Sequence, residues 1–445
     1  MKVSDFRPRH QLNTDILVIG GGAAGVAAAV TAARQGLHVT MIEKYGFCGG
    51  GAVAGLSGTI CGMYEATENA NPNPNQIVHG FLEEFVSLME ERNGLTGPVQ
   101  YGKTHTRVHD PLVWRDVADF MVKAAGVQVL YHTVVTDVLM DGGEAIEGVI
   151  AYSKEGKVEI RAKRTIDASG DADVIAMAGL PYTMGNNGEV QNPTMIFRLS
   201  GVDVETVTGT YGPDSIVPYE VSEHIKKLHE GGDWYLPRAK IFLFETPRPG
   251  ELICNATRII GEDGRELNAV IRDDLTEAEF EGRRQVREYA RYLKEHIKGC
   301  EDSWVNDTGV QVGVRQTRQV VGTETLTNGA VEGAVKRSDG IARSAWPVEL
   351  HKGDKPRLVW VMNEYYEVPF GCFVPEKGEN ILAAGRCLSA EHEAMASARV
   401  TAQCFSYGHA VGHAATLSLR EKIDIRDIKG EDVRDILNKD GAQLG

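Results

Sequence analysis

The chain lacks the cysteine patterns that staple or ligate. Its seven cysteines (Cys48, Cys61, Cys254, Cys300, Cys372, Cys387 and Cys404) are odd in number and scattered, with no Cys-x-x-Cys pair. That argues against a disulfide framework, a cysteine zinc site and an iron–sulfur cluster. It also lacks any apolar run of membrane-spanning length, and Met1 to Thr14 is polar and mixed in charge rather than built like a signal peptide. The expected address is cytoplasmic. Base is in deficit: 47 Lys and Arg stand against 62 Asp and Glu, a formal net charge of −15. The resulting field repels nucleic acid and anionic membrane alike, so neither is expected as a partner. There is no internal repeat and no low-complexity tract. What is present, 445 residues of which 42% are hydrophobic, suffices for a soluble chain of two domains.

The most informative stretch is Asp15-Ile-Leu-Val-Ile-Gly-Gly-Gly-Ala-Ala-Gly25, closed by Val39-Thr-Met-Ile-Glu43. An apolar run breaks into Gly-x-Gly-x-x-Gly at Gly20, Gly22 and Gly25, an alanine-rich helical segment follows, and a second apolar run ends in an acid. This reads as β-α-β with a dinucleotide on it. Gly20 permits the tight turn, Gly22 lets a pyrophosphate approach, and Gly25 lets helix and strand pack closely. The helix N-terminus then faces the phosphates, and Glu43 is spaced to accept from a ribose diol.

Further along, Lys44 to Gly55 is rich in small residues and fits beneath a flat cofactor. Asn71 to Asn75 reads as a surface loop. Gln76 to Arg92 and Pro111 to Ala124 carry helical spacing and are joined by a polar loop, an excursion spanning 70–125. Val127–Tyr131, Val134–Leu139, Ile146–Ala151 and Val158–Ile160 read as an antiparallel meander, and Arg164 to Gly170 as a separate strand returning to the nucleotide. From about Thr183 a second domain is expected, with strands at 194–199, 241–244 and 252–260 and a charged helix over 276–297. Further strands are expected over 310–321 and 357–368. Asn380 to Gly385 reads as a last strand, followed by a small-residue helix over 394–416 and a short amphipathic helix over 424–437. The fold class is α/β: a Rossmann-like domain with an antiparallel meander, plus a mixed α+β substrate domain. The expected boundaries are 1–182, 183–370 and 371–445, the last segment rejoining the first.

Three separated stretches carry a family resemblance: Asp15–Gly25 with Glu43 and Tyr45–Gly50; Thr165-Ile-Asp-Ala-Ser-Gly-Asp171; and Asn380–Arg399 with Gly408. Gly313–Arg318 and Val368-Pro369 fit as well. With these the chain resembles the FAD-dependent oxidoreductases of the glutathione-reductase-like flavoprotein type, most nearly a shortened relative of the fumarate reductase flavoproteins. The resemblance implies FAD as cofactor. Gly20, Gly22, Ala23, Ala24 and Gly25 would face the pyrophosphate, Glu43 and Lys44 the adenosine side, and Val135 the adenine. Gly49, Gly50, Ala168, Ser169, Gly170, Gly385 and Arg386 would line the rest. Arg386 stands where such flavoproteins often carry Asp. A hydroxylase motif and a second dinucleotide fingerprint are both missing, which counts against a monooxygenase and a built-in NAD(P)H site.

Flavin chemistry passes a hydride through N5, so the chain must supply a proton-transfer group and a clamp. His392 and Arg399 are the catalytic candidates, in the segment where the fumarate-reductase-like proteins carry a His and an Arg near the flavin. Arg315 and Arg318 are within reach of the same pocket, but strand-surface pairing is the expectation for both, and His105 and His109 are expected in an exposed loop able to cap the site. Cys48 and Cys61 are the candidates for a covalent flavin tether. His409 and His413 are spaced by four on a helix but no third ligand is near them in sequence, so no metal site is assigned. The expected function is a dehydrogenase or reductase moving a hydride between flavin and a small organic substrate. Its rivals are an electron-transfer subunit of a redox complex and, disfavoured by charge, a tRNA-modifying flavoprotein; a homo-oligomer or redox partner protein is left open.

Overall fold

The computed structural model describes residues 11–68, 71, 73–350 and 357–445. The polar start Met1–His10, Ala70 at the head of the excursion and Pro72 of the Asn/Pro loop lie outside the described residues.

Strand β1 (Gln11–Ile19) is buried throughout its apolar half, helix α1 (Ala23–Arg34) is buried from Ala24 to Ala33, and β2 (Val39–Ile42) is buried at every position. Continuous apolar runs are what a parallel sheet covered on both faces requires. β2 pairs parallel with β1, Ile16 opposite Val39 and Ile19 opposite Ile42.

The excursion holds α2 (Phe81–Glu91), β3 (Leu95–Tyr101), β4 (Thr104–His109) and α3 (Pro111–Ala124). The polar loop expected between the two helices is instead a hairpin, with Gln100 opposite His105 and Tyr101 opposite Thr104. β4 is wholly buried, and its polar side chains are tied inward: the Thr104 hydroxyl donates to the Tyr64 and Glu65 carbonyls at 3.2 and 3.0 Å. Asp110 then caps α3, its carboxylate accepting from Leu112 N at 2.8 Å with Pro111 in the first turn.

α3 is a crossover helix, so β5 (Gln128–Leu130) returns parallel to β2 and is no part of the meander. β6 (Val134–Met140) and β7 (Ile146–Ser153) are antiparallel and lead into β8 (Gly156–Asp167). The two strands expected over 158–160 and from 164 are this one strand. No glycine or proline interrupts it after Gly156, so the meander's last strand runs on into the parallel sheet, paired to β1 from Glu159 to Asp167. The sheet order is β5-β2-β1-β8-β7-β6.

A second apolar core lies between the long helix α4 (Arg272–His296) and a sheet of β9 (Phe197–Ser200), β10 (Phe242–Glu245), β11 (Glu251–Asn255) and β12 (Trp304–Thr308), with β9, β11 and α4 supplying side chains to it and the largely exposed β12 at the edge. Its sheet is antiparallel in the order β10-β11-β9-β12, and Tyr289, Tyr292 and Leu293 of α4 are buried against it. Of the strand expected over 310–321, only Arg318–Val320 is extended in a ladder. After Leu326 the chain contributes to the first core again, with Ile341, Tyr366 and Val368 in the cluster that contains α1.

β13 (Ile381–Ala383) pairs parallel with the last three residues of β8. The helix expected over 394–416 is two helices, α5 (His392–Ala398) and α6 (Thr401–Glu421), separated by Arg399 and an extended Val400. The break is hydrogen-bonded on both sides: Ala402 N donates to Cys61 O at 3.0 Å, and the Tyr407 hydroxyl to Ala398 O at 2.8 Å. α6 crosses α1 so closely that a Cβ on Gly408 would lie 2.0 Å from the Ala24 carbonyl oxygen. α7 (Gly430–Lys439) closes the chain with Val433 and Leu437 buried, beginning later than the expected 424 because Asp424–Ile428 forms a separate short turn. The architecture is α/β, a Rossmann-like sheet with an antiparallel meander joined to a mixed α+β body. No described helix is long and apolar enough to cross a membrane.

Candidate functional site

A cavity of about 370 Å³ runs along the C-terminal ends of β1, β8 and β13 and on between the two cores. That size and place suit a ligand in an open α/β sheet. One end is walled by Gly20, Gly22, Ala23 and Ala24 of the first turn, by Glu43 and Lys44 after β2, and by Gly49 and Gly50. Val135, Ala168, Ser169, Gly170, Gly385 and Arg386 complete it. Gly25 is not on the wall.

The three motif glycines serve different needs. Gly20 has φ +100° and a Cβ there would lie 2.5 Å from the Ala168 carbonyl oxygen; at Gly25 it would lie 1.8 Å from that of Gly20. The fold itself demands those two. Gly22 has an ordinary φ of −71°, and the nearest protein atom to a Cβ would be Gly50 Cα at 3.8 Å. The space its bare Cα leaves is on the cavity side, where a ligand can press against the chain. α1 begins with no side-chain cap and no acid in its first turn, so its free N–H groups and positive dipole end face that space. Those features fit a pyrophosphate.

Glu43 reaches the same wall with both carboxylate oxygens held, one by Gly21 N at 2.6 Å and one by Tyr45 N at 2.8 Å. Burial raises its pKa against the pull of those two N–H groups. At the tip of β8, Asp167 organises the loop that meets the cavity, accepting from Ser169 Oγ at 2.6 Å and from Val174 N at 2.8 Å. Burial alone would raise the neighbouring Asp171, but Arg386 at 2.9 Å holds its carboxyl below the usual range.

The far end of the cavity is polar and was only half visible in the sequence. Arg399 is there, its break between helices turning the residue into the wall, and so are Arg315, Glu349, Trp346, Asn255 and Thr194. Arg315 is buried, donating to Asn192 O at 2.5 Å, which corrects the strand-surface expectation: no ladder forms at 315, and the loop carries the side chain inward. Arg318 does pair, with Asp173 at 2.5 Å. Burial, reinforced by neighbouring guanidinium charge, pulls Arg315 down to about 9; burial, opposed by the Glu349 carboxylate, pulls Arg399 down to about 10, so both stay cationic at neutral pH. Arg399 donates to Gln191 at 3.2 Å, while its Nε is buried with no hydrogen-bond partner among the described residues. Of the residues missed in sequence, Glu349 carried a signal, an acid inside the apolar run Trp346-Pro-Val-Glu-Leu350.

His392 opens α5 and is not on the cavity wall among the described residues. His105 and His109 are buried in β4 and cap nothing, correcting the lid expectation; their hairpin turns them into the core. Cys48 lies off the wall and Cys61 on it, and burial pushes the two thiols up to about 12 and about 11. Both are protonated at neutral pH and poor nucleophiles.

Comparison with known proteins agrees with the geometry. The family model for FAD dependent oxidoreductase matches residues 15–437. An NADH:fumarate oxidoreductase of Klebsiella pneumoniae is 25% identical over 187 residues, 35% of this chain and 20% of that protein. A digeranylgeranylglycerophospholipid reductase of Methanoculleus marisnigri is 32% identical over 177 residues, 38% of this chain and 42% of its own. The matches thus span less than half the length of these curated relatives. A solved geranylgeranyl bacteriochlorophyll reductase-like protein of Thermoplasma acidophilum superposes with a TM-score of 0.49 at 14% identity, covering 96% of this chain and 83% of that one. The chain belongs to the FAD-dependent oxidoreductase family, with FAD as its cofactor.

Proposed function

We infer that this chain is a dehydrogenase or reductase of a small organic anion. The observation that carries the reading is a single cavity with a dinucleotide turn at one end and two buried arginines, Arg315 and Arg399, at the other. FAD, when bound, supplies the two-electron exchange with substrate.

The residues of the turn hold the phosphates by main-chain N–H groups, Glu43 accepts from the adenosine ribose, and Val135 borders the adenine. Arg386, fixed by Asp171, stands beside the loop at Gly170 and orients that stretch of the cofactor. At the far end two buried guanidinium groups face one carboxylate, Glu349. An uncompensated buried cation is unfavourable, and an anionic substrate group bound there offsets that penalty. Planar guanidinium forks also fix a carboxylate in one orientation, which keeps the reacting carbon aligned. His392, off the wall, is given no contact with substrate.

The test is anaerobic mixing with a panel of small carboxylates and their amide counterparts while following the oxidised flavin band. Carboxylates reduce it, or reoxidise the reduced protein, and the amides do not. Arg399→Ala keeps full FAD but weakens carboxylate-driven turnover by about 10- to 100-fold, the worth of a charged hydrogen bond. His392→Gln stays within a few-fold of wild type. Equal use of amides and carboxylates, or an unimpaired Arg399→Ala, overturns the arginine clamp.

A further inference from the structure

His409 and His413 lie one turn apart on α6, with side chains only 3% and 5% exposed. The third group that sequence spacing could not supply comes from α7. Asp440, the residue that ends that helix, brings Oδ2 to 2.7 Å from His409 Nε2 and 3.0 Å from His413 Nε2, and the two nitrogens are 3.2 Å apart.

We propose that His409, His413 and Asp440 form a divalent-cation site of the zinc class, separate from the flavin cavity, that clips α7 to α6. Three donor atoms converge on one point from two helices. Bonds of about 2.0–2.1 Å to a tetrahedral or octahedral ion place neighbouring ligand atoms about 2.9–3.4 Å apart, close to the separations found here. A purely hydrogen-bonded triad is less well served by this geometry. If both imidazoles donate to the one carboxylate oxygen, their N–H groups crowd each other at 3.2 Å; a cation replaces those protons and turns the crowding into shared ligation. Two imidazoles and one carboxylate are a borderline donor set that suits Zn²⁺ and its spectroscopic substitute Co²⁺. The 58% exposure of the Asp440 side chain provides the entry path and leaves a position for water.

Two cations face the cluster and both are engaged elsewhere: Arg34 with Glu84 at 2.6 Å, and Arg420 with the Gln35 carbonyl at 2.9 Å. None of the three ligands lines the flavin cavity. The consequence for the fold is mechanical. Gly408, one residue before His409, and Gly412, one residue before His413, are close contacts of α6 with α1, so tethering α6 steadies the helix that backs the nucleotide turn.

The holoprotein, treated with a chelator and dialysed, is titrated with Co²⁺ and then Zn²⁺. The site predicts one Co²⁺ per chain, with d–d bands to the red of the flavin absorption that Zn²⁺ removes, and a higher melting temperature with Zn²⁺. Asp440→Asn, nearly isosteric and at an exposed helix end, and His413→Gln each weaken binding by at least about 100-fold and abolish the Zn²⁺-dependent melting shift, with FAD content unchanged. Failure of the wild type to bind a stoichiometric ion overturns the proposal. So does binding by both variants as tight as wild type, which would assign the ion to other groups such as the cysteines.

Discussion

His109 shows how much a single buried side chain can decide. It is fully buried against Trp114, and neither ring nitrogen has a hydrogen-bond partner among the described residues. Burial pulls its pKa from 6.5 to about 4, so the folded state holds the ring neutral while the unfolded chain takes up a proton from pH 6.5 downward. Stability from this residue is therefore present above pH 6.5 and is lost as pH falls toward 4, by about 3 kcal/mol in all. Chemical denaturation at pH 7 and pH 4.5 measures it. Wild type loses more stability across that interval than His109→Leu, and equal losses would contradict the burial of a neutral ring. The residue also marks a limit of reading by composition. A run of threonines and histidines looks like an exposed loop until hydrogen bonds to a neighbouring segment, here those of Thr104 to Tyr64 and Glu65, pair it inside.

At the scale of elements, the contact of α6 with α1 places a tight demand on the sequence. With 2.0 Å from the Gly408 Cβ position to the Ala24 carbonyl oxygen, even one methyl must push the helices apart. Gly408→Ala is expected to destabilise by about 1–3 kcal/mol, the usual effect of overpacking, and to loosen FAD because α1 carries the nucleotide turn. Thermal melting with flavin release as the probe reads both effects; an unchanged melt would refute this packing. β1, α1, β2 and β13 were legible because their apolar runs and punctuating glycines are local signals. The hairpin of the excursion, the parallel partner of β5 and the continuity of β8 were not, since each depends on what lies beside the strand. The break at Arg399–Val400 was equally hidden. Both helices are rich in small residues, and it is Cys61, distant in sequence, and Tyr407, two turns into α6, that satisfy the opened ends.

For the whole molecule, the nucleotide end of the cavity could be read from motif spacing, while the substrate end could not. Arg315, Glu349 and Arg399 come from a loop, a short strand (Val348–Leu350) and a helix break scattered along the chain, and converge only once the two cores are assembled. One consequence of the sequence as a whole is that it holds a single dinucleotide fingerprint. NADH or NADPH alone is thus expected to reduce the flavin slowly, and stopped-flow bleaching at catalytic rates by either nicotinamide would reopen the monooxygenase reading. The central claim, that FAD rests on the Gly20–Gly25 turn, is tested most directly by counting cofactor released from purified wild type and from Gly22→Val. The account predicts one FAD per chain in wild type, and a folded but flavin-free variant, because the fold leaves room for a side chain at Gly22 and the pyrophosphate does not. FMN in the wild type, or full FAD occupancy in Gly22→Val, would contradict it.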